Sequence, residues 1–331
     1  MEAISLLNSF PEQIKDAIKI AKSHDFYFDA NKIIFCGMGG SGISGEIIKH
    51  FSKVPFIVVK DYKLPYFADS STLFIAMSYS GNTSEVISCY REAKKRKCKI
   101  LVITSGGILS KERNSIILPA GLPPRFAIAY LLFTLMVTLE NNGFIERQNY
   151  REAIEIAETL RNRMNEKGNI AEEIAKKIEG TALIYGYGCM ASIATRWRQQ
   201  FNENAKMLAF DFSVSECNHN EIEAWERDLE NLTCIFLRGN ENEETAKRFD
   251  FMKKRYGEKA KVIEYFAEGK RDFTKMISSL YMGDYVSVYK ANLDKFNPIE
   301  TKLIKELKEE LSTQDPHHSR WLRRNSFITR Y

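Results

Sequence analysis

Gly37-Met38-Gly39-Gly40-Ser41-Gly42 lies between two segments of opposite character. Before it, Lys32-Ile33-Ile34-Phe35-Cys36 is a short apolar run with the pattern of a buried parallel strand. After it, Ile43 to His50 has the pattern of a helix. Glycines at such a junction let the backbone turn sharply and keep side chains out of a ligand's way. The helix that follows offers unpaired N–H groups and the positive end of its dipole. Together these predict an anion site, most often one for phosphate.

Outward from this loop the chain alternates strands and helices. Glu12–Ser23 places Ile14, Ala17, Ile18 and Ala21 at helical spacing. Apolar runs at Pro55–Val59, Thr72–Met77, Lys99–Thr104 and Ile116–Leu118 read as strands. Ser84–Lys97 and Arg125–Leu139 read as helices, the second opened by Pro123-Pro124. A polar segment, Asn142–Tyr150, marks the expected boundary. The order then repeats: a helical stretch over Arg151–Ile178, a strand at Thr181–Tyr185, a glycine turn at Gly186-Tyr187-Gly188-Cys189, and a helix to about Lys206. Strands follow at Leu232–Leu237 and Lys261–Tyr265, with helices at Glu243–Tyr256, Phe273–Leu293 and Pro298–Leu311. This alternation predicts right-handed crossovers and two similar α/β domains, each a doubly wound parallel sheet, over residues 1–145 and 151–312. Residues 313–331 lack periodicity and are expected to be a tail outside the fold.

Composition places the chain among ordinary globular proteins. Of 331 residues, 44% are hydrophobic and 27% charged, and no run is apolar and long enough to span a membrane. The net charge of +5 is concentrated at the end, where Arg320, Arg323, Arg324 and Arg330 face only Asp315; without that net +3 the rest is about +2. Nucleic acid is therefore not an expected partner. The six cysteines show no CxxC or other metal spacing, and Cys36 and Cys234 sit in apolar strands, as small core residues do. A reducing, cytoplasmic compartment follows, with no metal or cofactor implied.

A second loop decides between ligands. Gly37-x-Gly39-x-x-Gly42 matches a dinucleotide fingerprint in form, and Asp61 after the second strand could meet a ribose. However, the third strand feeds into Ser78-Tyr79-Ser80-Gly81-Asn82-Thr83, with three hydroxyls at another strand-to-helix turn. Thr83 could simply cap the helix. Two hydroxyl-bearing turns at neighbouring strand ends instead favour one shared phosphate monoester.

These two loops together resemble the sugar isomerase (SIS) domain. Two further segments narrow the resemblance. Arg196-Trp197-Arg198-Gln199-Gln200-Phe201-Asn202-Glu203-Asn204-Ala205-Lys206 and Asn218-His219-Asn220-Glu221-Ile222 are similar to motifs of the archaeal-type bifunctional phosphoglucose/phosphomannose isomerases. The resemblance spans roughly residues 15 to 312. It implies two sugar isomerase domains and aldose–ketose isomerisation of glucose 6-phosphate, and of mannose 6-phosphate, with fructose 6-phosphate. In the roles it implies, Glu203 moves the proton through a cis-enediol, Arg125 stabilises the enediolate, and His219 and Lys308 open the ring. Gly39, Gly40, Ser41, Ser78, Ser80 and Thr83 hold the phosphate, and Thr301 admits both epimers. It also implies a homodimer in which His219 is contributed across the interface. Lys302 and Lys305 stay open as alternatives to Lys308. The chain departs from the family at Ser215-Glu216-Cys217 and at Glu223-Ala224-Trp225, which places the loop geometry around His219 in question. The alternatives are another phosphosugar isomerase and a non-catalytic phosphosugar sensor.

Overall fold

The computed structural model describes residues 2–313, so residues 314–331 of the expected tail lie outside the described residues. The chain opens with α1 (Glu2–Asn8) and α2 (Phe10–Lys22), then β1 (Lys32–Cys36), α3 (Gly39–Ile48), β2 (Phe56–Val59), β3 (Thr72–Met77), α4 (Ser84–Lys95), β4 (Lys99–Thr104), β5 (Ser115–Ile117) and α5 (Ile128–Asn141). It continues through α6 (Tyr150–Met164), α7 (Ile170–Lys177), β6 (Thr181–Gly186), α8 (Cys189–Gln200), β7 (Ala209–Ser213), α9 (Val214–Cys217), β8 (Leu232–Arg238), α10 (Glu243–Tyr256), β9 (Lys261–Phe266), α11 (Asp272–Leu293) and α12 (Lys302–Thr313).

Two parallel sheets result, ordered β2-β1-β3-β4-β5 and β7-β6-β8-β9. In the first, β1 leads outward to β2 on one side, while β3 leads to β4 and β5 on the other. The order reverses between β1 and β3, which opens a crevice at their carboxyl ends. Phe35 pairs with Ile75 and Cys36 with Ala76, so the two loops leave the sheet side by side.

Strand alternation explains the layers. Ile33, Phe35, Leu73, Ile75, Leu101 and Ile103 face α2, α3 and α5, whereas Ile34, Cys36, Phe74, Ala76 and Val102 face α4. The second sheet repeats this: Ile184 and Ile235 turn toward α8 and α11, while Tyr185 and Phe236 pack with Phe249 and Tyr256 of α10. The inner faces of both sheets share one continuous core, with α3 against α8 and α11 against α6, α7 and α8. The two halves therefore pack together through these inner faces. All six cysteines are free thiols, and Cys36 and Cys234 are buried, as expected. Among the described residues no helix is long and apolar enough to cross a membrane.

Some elements differ from expectation. The helical stretch over 151–178 is two helices: Gly168 takes φ +70°, and the Asn169 side chain accepts from the N–H groups of Ala171 and Glu172 to start α7. The edge strand β7 escaped detection because its side chains are mostly half-exposed, with Phe210 on the surface. The last helix begins at Lys302 rather than Pro298, for a reason found in the site.

Candidate active site

The crevice between β1 and β3 gathers hydroxyls. Gly39 opens α3 at φ +51°, and Ser41 is buried in the helix's first turn. The Ser41 Oγ accepts from the Tyr79 N–H at 3.2 Å, which ties the glycine loop to the serine loop. The Ser78 Oγ, also buried, lies 2.7 Å from the Thr83 Oγ1 and 3.4 Å from the Ser80 Oγ, and accepts from the Gly81 N–H. Thr83 occupies the N-cap position of α4, yet its side chain does not cap. Its hydroxyl turns to Ser78, so the simple capping reading fails. Gly81, at φ +68°, cannot carry a side chain: a Cβ there would lie 1.8 Å from the Gly106 carbonyl oxygen. Hydroxyls and two helix N-termini thus converge, as a phosphate monoester requires.

Gly40 connects this crevice to a buried cation. A Cβ on Gly40 would meet the Pro124 carbonyl oxygen at 3.1 Å and the Arg125 Cα at 3.3 Å. Arg125 sits in a 3₁₀ turn, Pro124–Ala127, ahead of α5. Its side chain is 4% exposed. The Nε donates to the Asn204 Oδ1 at 2.6 Å, and Nη2 donates to the carbonyls of Pro298 and Ile299. Those two carbonyls face the guanidinium, so α12 begins only after them. The Nη1 lies 3.6 Å from the Glu203 Oε2. Burial lowers the Arg125 pKa from its ordinary value and Glu203 opposes the shift; a guanidinium stays charged throughout. Behind it, Arg196 donates to both oxygens of Asp284, at 3.0 and 2.9 Å, and to the Arg125 carbonyl at 2.7 Å. Arg196 and Asp284 are each 1% exposed.

Glu203 is held by an irregular backbone. The helix expected to reach Lys206 ends at Gln200, and Phe201–Ala205 form a π turn. Such turns occur often at functional sites. The wider turn carries Asn204 inward, where its Nδ2 donates to the Ser287 Oγ at 2.9 Å, and leaves Glu203 26% exposed beside Arg125. Lys206 closes the turn in the left-handed region, at φ +57°. The Lys206 Nζ donates to the carbonyls of Glu203 at 2.5 Å, Glu300 at 2.6 Å and Asn297 at 3.1 Å. Partial burial and the neighbouring Arg125 charge lower its pKa.

The remaining expected site residues are placed differently. His219 is exposed on the loop after α9, and its ring makes no hydrogen bond or ion pair among the described residues. Its neighbour Glu221 anchors that loop instead, accepting from Tyr185, Trp225 and Tyr256. The departures from the family pattern sit here: Cys217 is buried in α9, and Trp225 stacks on Tyr256 at 3.9 Å between ring centres. Lys308 is exposed on α12 and is likewise unbonded among the described residues. Thr301 lies just before the exposed α12, and Lys308 two turns further along it. In this chain, then, Arg125 and Glu203 meet near the hydroxyl crevice, while His219 and Lys308 bond to neither among the described residues.

Sequence reasoning assigned no role to Asn204, Lys206 or Asp284. Asn204 and Lys206 lie within the segment Arg196–Lys206 that carried the resemblance. Asp284 had its own signal: it is a lone acid inside the apolar Phe273–Leu293 helix, and a buried acid needs a partner.

Comparison with known proteins agrees with this geometry. Residues 26–139 match the SIS domain, and residues 167–311 match the bacterial phospho-glucose isomerase C-terminal SIS domain. The bifunctional phosphoglucose/phosphomannose isomerase of Caldicellulosiruptor bescii is 36% identical over 329 residues, covering 92% of this chain and 97% of its own. That of Thermoplasma volcanium is 36% identical over 307 residues, covering 90% of this chain and 97% of its own. The solved C-terminal domain of glucosamine-fructose-6-phosphate aminotransferase from Francisella tularensis shares the fold, with a TM-score of 0.68 at 15% identity, covering 89% of this chain and 97% of that one. The paired SIS-type sheets, the hydroxyl crevice and these full-length relatives place the chain in the bifunctional phosphoglucose/phosphomannose isomerase family.

Proposed function

We propose that the protein interconverts fructose 6-phosphate with glucose 6-phosphate and mannose 6-phosphate. The observation that carries this reading is the pairing of Glu203 with the buried Arg125, next to a loop that abuts the hydroxyl crevice. In this reading, Ser41, Ser78, Ser80 and Thr83 bind the phosphate with the N–H groups of Gly39 and Gly40. The Glu203 carboxylate takes the proton from one of C1 and C2 and returns it to the other, through a cis-enediol. The Nη1 of Arg125, which makes no hydrogen bond among the described residues and lies 3.6 Å from the Glu203 Oε2, stabilises the enediolate oxygen as charge develops. Thr301 admits either configuration at C2.

Ring opening is assigned to His219 and Lys308. The exposed His219 ring, unpaired among the described residues, suits a homodimer in which it completes the partner's site. The exposed Leu303, Ile304, Leu307 and Leu311 of α12 are apolar surface for such a contact. The reading divides the chain into sugar isomerase domains over residues 1–145 and 151–312 and places the enzyme in the cytoplasm. Incubation with fructose 6-phosphate, with both aldose phosphates quantified, tests the function. Formation of both supports it, glucose 6-phosphate alone removes the role of Thr301, and binding without turnover by the folded protein indicates a sensor.

A further inference from the structure

Four successive carbonyls, those of Asn297, Pro298, Ile299 and Glu300, all accept from two cations of the site. Arg125 takes the middle two and Lys206 the outer two. Lys206 also donates to the carbonyl of Glu203, within the π turn. With the Asn204 carbonyl at 3.5 Å as well, four backbone carbonyls surround the three protons of its ammonium group. An ammonium spent in this way is a clamp, with no proton left to donate to substrate.

The clamp joins two parts of the site distant in sequence. On one side is the turn that aims the Glu203 carboxylate. On the other is the segment that ends at Thr301 and enters α12. The backbone at Lys206 supports this view, because a side-chain-bearing residue held at φ +57° is uncommon and requires its surroundings to hold it. The bonds to Glu203, Asn297 and Glu300 do so.

We infer that Lys206 is a positioning residue for the isomerisation: its ammonium fixes the Glu203 turn against the Asn297–Glu300 carbonyls, so that the carboxylate stays in line with C1 and C2. This rests on the isomerase reading above. The Lys206 ammonium is turned to these backbone carbonyls, so on this inference its removal acts on geometry rather than on binding. Small misplacements of a catalytic group cost rate steeply, up to about a hundredfold for roughly 1 Å.

The test is steady-state kinetics on the full chain with fructose 6-phosphate, for wild type, Lys206→Gly, Lys206→Met and Lys206→Arg, with folding checked by circular dichroism. Glycine accepts the left-handed backbone without strain, so this variant removes the ammonium while sparing the turn. The expected result is a kcat lower by about tenfold or more in the glycine and methionine variants, with KM within about threefold of wild type, and partial recovery of kcat in the arginine variant. Three results overturn the inference: a glycine-variant kcat closer to wild type than that, a rise in KM that accounts for the loss, or failure of both the glycine and methionine variants to fold, which would make Lys206 a stability element. Absence of turnover by wild type sinks the isomerase reading and the inference with it; active wild type beside unaffected variants sinks the inference alone.

Discussion

At the residue scale, the side chains of Ser78 and Thr83 favour the proposed phosphate site over a capped turn. A capping threonine directs its oxygen to backbone N–H groups, whereas Thr83 turns to Ser78 and leaves the first turn of α4 open to an anion. Ser78→Ala should therefore raise KM for fructose 6-phosphate by about tenfold or more, the worth of a hydrogen bond to a charged group, with a smaller change in kcat. A kcat loss at constant KM would instead assign Ser78 to the chemistry. The hydroxyls were legible in the sequence because they cluster at two strand ends. The partners of Arg125 were not, because carbonyls of Pro298 and Ile299, more than 170 positions away, leave no mark in residue type. Glu203 became a candidate only through the pattern of its neighbours, since a single acid in a polar helix is ordinarily a surface charge.

At the element scale, the site depends on how α5, α8 and α11 meet. The buried Arg196–Asp284 pair joins α8 to α11 and supports the Arg125 carbonyl from behind. Asp284→Asn leaves a buried guanidinium without its counter-charge and should cost about 3–5 kcal/mol in chemical denaturation. A cost below about 1 kcal/mol would mean that the pair is dispensable. A second junction is pH-sensitive. The His50 ring meets the Ser192 Oγ at 2.9 Å, linking the end of α3 to α8. Desolvation, and then the charge on Lys49, lower its pKa from 6.5. Between the lowered value and 6.5 the unfolded chain binds a proton that the native chain does not. Stability from this group therefore falls as pH drops through that interval and levels off below it. Urea midpoints from about pH 7.5 to pH 5 should decline less for His50→Gln than for wild type; parallel declines would show that His50 does not titrate in this way. Strands and long helices were legible because their apolar periodicity is local. The π turn at 201–205, the break at Gly168 and the late start of α12 arise from tertiary hydrogen bonds, which periodicity does not record.

At the scale of the whole molecule, the doubled α/β order was readable as a repeat of strand, glycine turn and helix, and each sheet does wind in both directions. The repeat does not reveal that the inner faces share one core, nor that Glu203 and Asn204 of the second half meet Arg125 of the first. Nor does His219 or Lys308 bond to Glu203 within one chain among the described residues. If His219 acts on a partner, mixing two inactive variants, Glu203→Gln and His219→Ala, should rebuild one intact site in each mixed dimer. With random exchange of subunits, activity should recover to about a quarter of wild type. No recovery after exchange would place His219 in its own chain's site.

Glu203 as the proton carrier is the central assignment of the proposed isomerisation. Its most direct test is the initial rate of fructose 6-phosphate conversion by wild type and by folded Glu203→Gln, with glucose 6-phosphate and mannose 6-phosphate both quantified. Wild type should form both, and the variant should be slower by about 10²- to 10⁴-fold toward each, the contribution of a positioned general base. A folded variant that converts the sugar phosphate within about tenfold of the wild-type rate would contradict the assignment and require another group to move the proton.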